Sequence, residues 1–281
     1  RRTLVLGAGA AVLGLPAWPA ASPGQPLLRF GLTAVFLDER MRLLQRWREY
    51  LEPVLGASVA FVQRGTYGQV MDAVRAGEAH FAWICGYPYV LHQRELVLVA
   101  VPQWRGRPLY QSYLIADAAG RVRSLADLRG ASFAYSDPLS NSGFLYMQHR
   151  LRGLGEDPVR YFGRSFFTHS HRQVVEAVAA GLADGGSVDG YVWETLAELH
   201  PELTARTRVI DRSPDFGFPP IVAGARTDPA RLRAFAAALL AMPESSDGQA
   251  VLRELRLDRF VTAEPSLFAG IAAMARQQAA T

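Results

Sequence analysis

A two-lobe α/β protein is the fold class this chain predicts, on three observations. Its 281 residues exceed one typical domain core. Strand-like and helix-like stretches alternate in two separate series, and each series calls for a sheet flanked by helices. The second series ends in a Gly/Pro-rich passage, residues 213–220, after which strand and helix resume. The chain therefore crosses between lobes twice, near Asp117 and near Pro214, and two crossings make a hinge. On this reading residues 27–116 and 215–281 form the first lobe and residues 117–214 the second.

The start of the chain stands apart from this pattern. Arg1 and Arg2 precede an apolar run over residues 4–15, and small or turn-forming residues follow to Ser22. That layout predicts an export signal over residues 1–22, partly resembling a twin-arginine signal, and therefore a periplasmic location. The alternative is a buried N-terminal helix, which Gly7, Gly9, Gly14 and Pro16 would weaken. Cys85 is the one cysteine, so an exported chain has no internal disulfide and depends on packing.

In the first series, residues 27–32 alternate into a strand and residues 41–55 carry apolar side chains at helical spacing. Residues 57–63 are a strand, residues 67–76 a helix closed by Gly77, and residues 81–85 an apolar strand. Such an order implies parallel pairing, and ligands on such sheets sit beyond the carboxyl ends of the strands. The residues to watch are then 33–36, 64–67 and 85–89. Residues 96–101 and 110–117 are further strands, the latter leading into the second lobe.

In the second series, Ser124 caps a short helix ending at Gly130 and residues 133–136 are a strand. Residues 164–167 are a strand, 173–180 a helix, 188–193 a strand, 194–199 a helix and 207–211 a strand. Residues 219–225 form a last strand, and everything beyond is helical, over 229–241, 248–254 and 265–276.

Composition narrows the function. Hydrophobic residues are 49% and charged residues 20%, which excludes disorder as the main state. The net charge of +4 comes from scattered arginines. No basic stripe with interleaved aromatics offers itself to a nucleic acid.

The stretch that carries chemistry is residues 132–144, a strand, an Asp137-Pro138 turn and a helix opening at Ser140-Asn141-Ser142-Gly143. A helix start leaves N–H groups unpaired and carries partial positive charge, so it can seat an oxyanion without an arginine. Gly143 would let a ligand approach the backbone. Alternatively, Ser140 only caps its own helix.

With these pieces in order the chain resembles the periplasmic phosphonate/phosphite/phosphate-binding proteins, the PhnD-like group of the type II periplasmic binding-protein fold. The residues that carry the likeness are Arg64-Gly65-Thr66-Tyr67, Phe81-Ala82-Trp83-Ile84, Tyr110-Gln111-Ser112-Tyr113, Asp137 to Gly143, Ser170-His171, and the run from Ala177 to Asp189. The resemblance implies two lobes, each a mixed sheet flanked by helices, that close on a small oxyanion. It implies a grip by Ser140, Asn141 and Ser142 with Tyr67 and His171, no cofactor, and delivery to an ABC permease. Asn141 stands where the family usually has threonine. Tyr110, and Asp189 or Glu194 as partners for a ligand amino group, are weaker matches.

Cys85 departs from the family's usual residue. A branch of the same fold group binds arsenite through a cysteine and signals to a membrane histidine kinase, which makes a metalloid sensor the alternative function. A small buried apolar role for the thiol is the competing account. A hydrolase using Ser142, His171 and Asp189 is disfavoured, because no Gly-x-Ser-x-Gly elbow is present. His169 and His171 lack further ligands at metal spacing.

Overall fold

Residues 26–33 and 41–279 are described by the computed structural model. The export segment and residues 34–36 of the first strand's loop lie outside the described residues.

Strand β1 (Leu27–Leu32) places Leu28, Phe30 and Leu32 in the interior, and helix α1 (Met41–Leu55) turns Trp47 and Leu51 onto it. Strand β2 (Ser58–Gln63), helix α2 (Tyr67–Arg75) and strand β3 (Phe81–Trp83) complete the first series. Helix α2 opens on a capping box, in which Thr66 accepts from the Gln69 N–H and the Gln69 side chain accepts from the Thr66 N–H. Helix α3 (Gly86–Leu91) follows β3, where the sequence reading extended the strand to Cys85. Pro88 lies inside the first turn, where its missing N–H costs no helical bond.

Strand β4 (Leu96–Gln103) belongs to the same sheet, and β5 (Leu109–Tyr110) leads to β6 (Ser112–Asp117). Strand β7 (Ser132–Tyr135) then runs to a wide turn at Asn141–Leu145 and helix α4 (Tyr146–Gly153). Strand β8 (Arg164–Phe167), helix α5 (His171–Ala179) and strand β9 (Gly185–Asp189) come next.

Helices α6 (Gly190–Leu199) and α7 (Pro201–Thr204) and strand β10 (Thr207–Arg212) close the second series. The sequence reading ran a strand through residues 188–193. Asp189 ends it, because its carboxylate accepts the N–H groups of Tyr191 and Val192 and starts α6.

Strands β11 (Phe216–Gly217) and β12 (Ile221–Gly224), helices α8 (Pro229–Leu240) and α9 (Ser246–Leu255), strand β13 (Arg259–Val261) and helix α10 (Ala269–Ala279) complete the chain. The wholly helical tail expected beyond residue 225 is thus interrupted by β13. Three residues are too short for a strand signal, and the pairing with β4 supplies what local sequence does not.

Two mixed sheets result, of order β13-β4-β12-β3-β1-β2 and β10-β6-β9-β7-β8. The expected parallel pairing holds for β1 with β2 and β3, and for β7 with β8 and β9, while the remaining pairs are antiparallel. Strand β6 lies in the five-stranded sheet, whereas the sequence reading assigned residues 112–116 to the first lobe. A separate ribbon of β5 and β11 joins the two sheets, with Tyr110 opposite Phe216.

An aromatic core fills the first sheet, where Trp47 meets Phe30 edge-on and Phe81 stacks on Phe235 at 4.0 Å. Phe133 stacking on Phe162 at 4.1 Å anchors the second. The carboxyl ends of β1, β3 and β9 and the turns after β2 and β8 meet in the cleft between the sheets, at Thr33, Trp83, Asp189, Tyr67 and His171.

Candidate ligand-binding site

Three turns of the second sheet meet two of the first in that cleft. After β7, Ser140 begins the wide helical turn, and its Oγ accepts the Gly143 N–H at 2.9 Å. Leu145 N–H and Tyr146 N–H donate to the carbonyls five residues back, which widens the helix start. Beneath it, Ser112 Oγ and Ser187 Oγ both donate to the Ser142 carbonyl, at 2.6 and 2.7 Å. Buried serines on β6 and β9 thereby support the seat from the strands below.

Ser140, Asn141 and Ser142 are fully buried. Asn141 donates its side-chain amide to Tyr110 Oη at 3.0 Å and its backbone N–H to Cys85 Sγ at 3.2 Å. Among the described residues, Ser136 Oγ, Ser142 Oγ and Asn141 Oδ1 have no hydrogen-bond partner. A buried polar atom left this way costs roughly 1–3 kcal/mol, so the seat holds unused capacity for a ligand or water.

The second turn, after β8, supplies His171. Its Nδ1 accepts the Asp189 N–H at 3.1 Å. Burial pushes its pKa down to about 3, so the ring is neutral and carries its proton on Nε2, 3.5 Å from Ser140 Oγ. The third turn, after β9, supplies Asp189. Burial pushes its carboxyl up to about 7, against the stabilising N–H groups of Val192 and Tyr191. Oδ1 accepts both of those N–H groups, and Oδ2 has no protein partner among the described residues.

From the first sheet come Tyr67 and Cys85. Burial holds the phenols of Tyr67 and Tyr110 well above their ordinary pKa and raises the Cys85 thiol, which the Asn141 N–H partly offsets. All three groups are neutral at pH 7.

A small cavity of about 20 Å³ lies at the centre. Its polar wall is Tyr67, Cys85, His171 and Asp189, and its apolar wall is Trp83, Ile84, Phe218, Pro219 and the ring of Tyr191, with Thr33 at one end. No arginine lines it. The arrangement offers neutral donors and one carboxyl group to a small polar ligand.

The structure gathers some of the residues singled out in the sequence and places others elsewhere. Tyr67, Cys85, Tyr110, Ser140, Asn141, Ser142, His171 and Asp189 converge on one region. The seat residues stand behind the cavity and reach it through His171 and Cys85, instead of lining it. Gly143 does not open the backbone to a ligand: a Cβ there would lie 1.8 Å from Ser136 Oγ, so a protein side chain already fills that space.

Glu194 is engaged elsewhere, accepting from Tyr113 Oη and pairing with Arg105. The hydrolase geometry also fails. His171 faces Ser140, not Ser142, and it meets Asp189 through the backbone N–H instead of the carboxylate. Trp83, Tyr191 and Phe218 were not anticipated. Trp83 ends β3, so the rule that ligands sit beyond the carboxyl ends of strands could have found it; Phe218 precedes the amino end of β12, which runs antiparallel to β3, and that rule passes it over.

Two mixed α/β sheets joined at two crossings, with neutral donors converging in the cleft, define a two-lobe binding protein. The chain belongs to the family of phosphonate ABC-transporter periplasmic substrate-binding proteins, whose model matches residues 30–268. Proteins of that family bind substrate and are not enzymes.

The chain is 30% identical over 151 residues to the phosphate-import protein PhnD of Mycolicibacterium smegmatis, a match covering 48% of this chain and 46% of that protein. It thus spans about half the length of this curated relative. The fold is similar to a binding-protein component of an ABC phosphonate transporter from Pseudomonas aeruginosa, with a TM-score of 0.82 at 21% identity over 89% of this chain and 85% of that one. It is also similar to PhnD1 of Prochlorococcus marinus in complex with methylphosphonate, with a TM-score of 0.79 at 17% identity over 91% and 99%. Among the described residues no helix is long and apolar enough to cross a membrane.

Proposed function

We propose that this chain captures a small tetrahedral phosphorus oxyanion, of phosphonate, phosphite or phosphate type, and presents it to an ABC permease after export to the periplasm. The carrying observation is the buried helix start Ser140-Asn141-Ser142, with unpartnered polar atoms, set behind a cavity that Tyr67 and His171 line, His171 meeting Ser140 Oγ at 3.5 Å. A fully charged anion would be repelled by an ionised Asp189. A ligand that keeps a hydrogen on one oxygen instead satisfies the carboxylate's free Oδ2.

The metalloid-sensor alternative gains no support from the family match. Cys85 has a role without it, as acceptor of the Asn141 N–H.

Calorimetry with phosphite, phosphate, methylphosphonate, sulfate and arsenite tests the reading. Ser140 and Ser142 act through the groups that line the cavity, and a lost neutral hydrogen bond costs roughly 0.5–1.5 kcal/mol, so Ser140→Ala and Ser142→Ala are each expected to weaken phosphorus-oxyanion binding by up to about tenfold. Unchanged affinity in both variants removes the seat from the mechanism. Cys85→Ser keeps an acceptor and is expected to bind like the parent; binding of arsenite alone, lost in that variant, overturns the proposal.

A further inference from the structure

Asp137 makes contacts that the oxyanion seat does not require. It follows β7 and is 2% exposed. Its Oδ1 accepts the Leu139 N–H at 2.8 Å, and its carbonyl accepts the Ser140 N–H at 2.9 Å, so it shapes the turn that delivers Ser140. That much is an ordinary Asx turn.

Its other oxygen reaches across the cleft. Oδ2 accepts the Tyr67 N–H at 3.2 Å and lies 3.4 Å from His169 Nδ1. Tyr67 is the first residue of α2, which packs on the six-stranded sheet, and Thr66 already takes the Gln69 N–H. Asp137 therefore completes the cap of a helix belonging to the opposite sheet, where a carboxylate also complements the helix dipole. His169 holds a left-handed backbone, φ 60°, and donates its N–H to the Ser136 carbonyl at 2.5 Å. A non-glycine residue keeps that conformation only where its surroundings enforce it.

We propose that Asp137 is a cleft clasp and a positioning residue. One carboxylate ties the turn that sets Ser140 to the helix that presents the Tyr67 phenol, so part of the closing free energy is supplied by the protein and is present before any ligand enters. The inference rests on reading the cleft as one that opens and closes. Contacts made only in the closed state raise its population and slow opening. Tyr67 and the seat are brought into register by the same bond.

The test is small-angle scattering of the ligand-free chain beside phosphite dissociation kinetics, for the parent, Asp137→Asn and Asp184→Asn. Asp137→Asn keeps an oxygen for the Leu139 N–H but loses the charge at Tyr67. The closed-to-open ratio is expected to fall about tenfold, with a larger radius of gyration without ligand and phosphite leaving about tenfold faster. Asp184 accepts from Ser132 within the second sheet, so its variant is expected to melt earlier without opening.

An Asp137→Asn chain with the parent's radius of gyration overturns the clasp, whatever its melting temperature. Should that variant not fold, amide exchange in the parent decides: slow exchange at Tyr67 without ligand is expected, and free exchange overturns the proposal. Failure of phosphite to bind the parent would sink the oxyanion reading alone, because both ligand-free measurements still judge the clasp.

Discussion

Gly143→Ala is expected to lower stability by about 3 kcal/mol or more, and Ser136→Gly in the same chain is expected to restore most of it. The added Cβ would lie 1.8 Å from Ser136 Oγ, 2.7 Å from Ser136 Cβ and 3.0 Å from Ser140 Oγ. Rotating the Ser136 hydroxyl away relieves the first contact. It leaves the second, since Cβ moves only with the backbone, and that backbone is pinned by the Ser136 N–H to the Gly143 carbonyl and by His169 N–H to the Ser136 carbonyl. The helix start must therefore shift, and Ser140 and Asn141 shift with it. Urea unfolding of both single variants and the double variant measures the coupling. A Gly143→Ala loss below about 0.5 kcal/mol, within the range of ordinary surface changes, would show that the seat is soft, and a soft seat is not a preorganised one.

The Gly143 result also shows what sequence could and could not say. The alternation of strand and helix, the helix opening at Ser140 and the placing of Tyr67 and Cys85 at strand ends were legible, because local periodicity and the crossover rule determine them, whereas His171 and Asp189 were singled out only through the family resemblance. What fills the space over Gly143 was not, because Ser136 meets it through a turn whose shape depends on Asp137 and His169. The same holds for residues 188–193. Val188 to Trp193 reads as a β-rich run, yet the Asp189 carboxylate caps two N–H groups and converts its second half to helix, a side-chain bond that outweighs propensity. Asp137 was part of the motif, but its cross-cleft bond to Tyr67 joins residues 70 apart and leaves no periodic trace.

Asp189 carries the other large expected effect, a pH dependence hidden by its neighbour. Its folded pKa of about 7 stands above the ordinary 3.8, so between those values the folded chain holds a proton that the unfolded chain has lost. Stability therefore falls as pH rises through that window, by about 1.4 kcal/mol per unit. His171 runs the opposite way. With a folded pKa of about 3 against the ordinary 6.5, it is neutral in the folded chain where the unfolded chain is protonated, and stability is lost as pH falls through that window. From pH 4 to 6.5 the two slopes cancel, so the parent's profile is flat with respect to this pair. Asn at 189 retains an oxygen for the Tyr191 and Val192 N–H groups and does not titrate. Relative to the parent, Asp189→Asn is expected to gain about 1.4 kcal/mol per unit from pH 4 to 7, roughly 4 kcal/mol in all, while its own profile now rises with pH on the His171 slope. Urea unfolding of both chains at four pH values reads this directly. A difference that stays constant with pH would mean that Asp189 is ionised throughout. The cleft would then present a fixed negative charge, which admits a ligand that keeps a hydrogen for Oδ2 or bears a cationic group and excludes a fully deprotonated oxyanion.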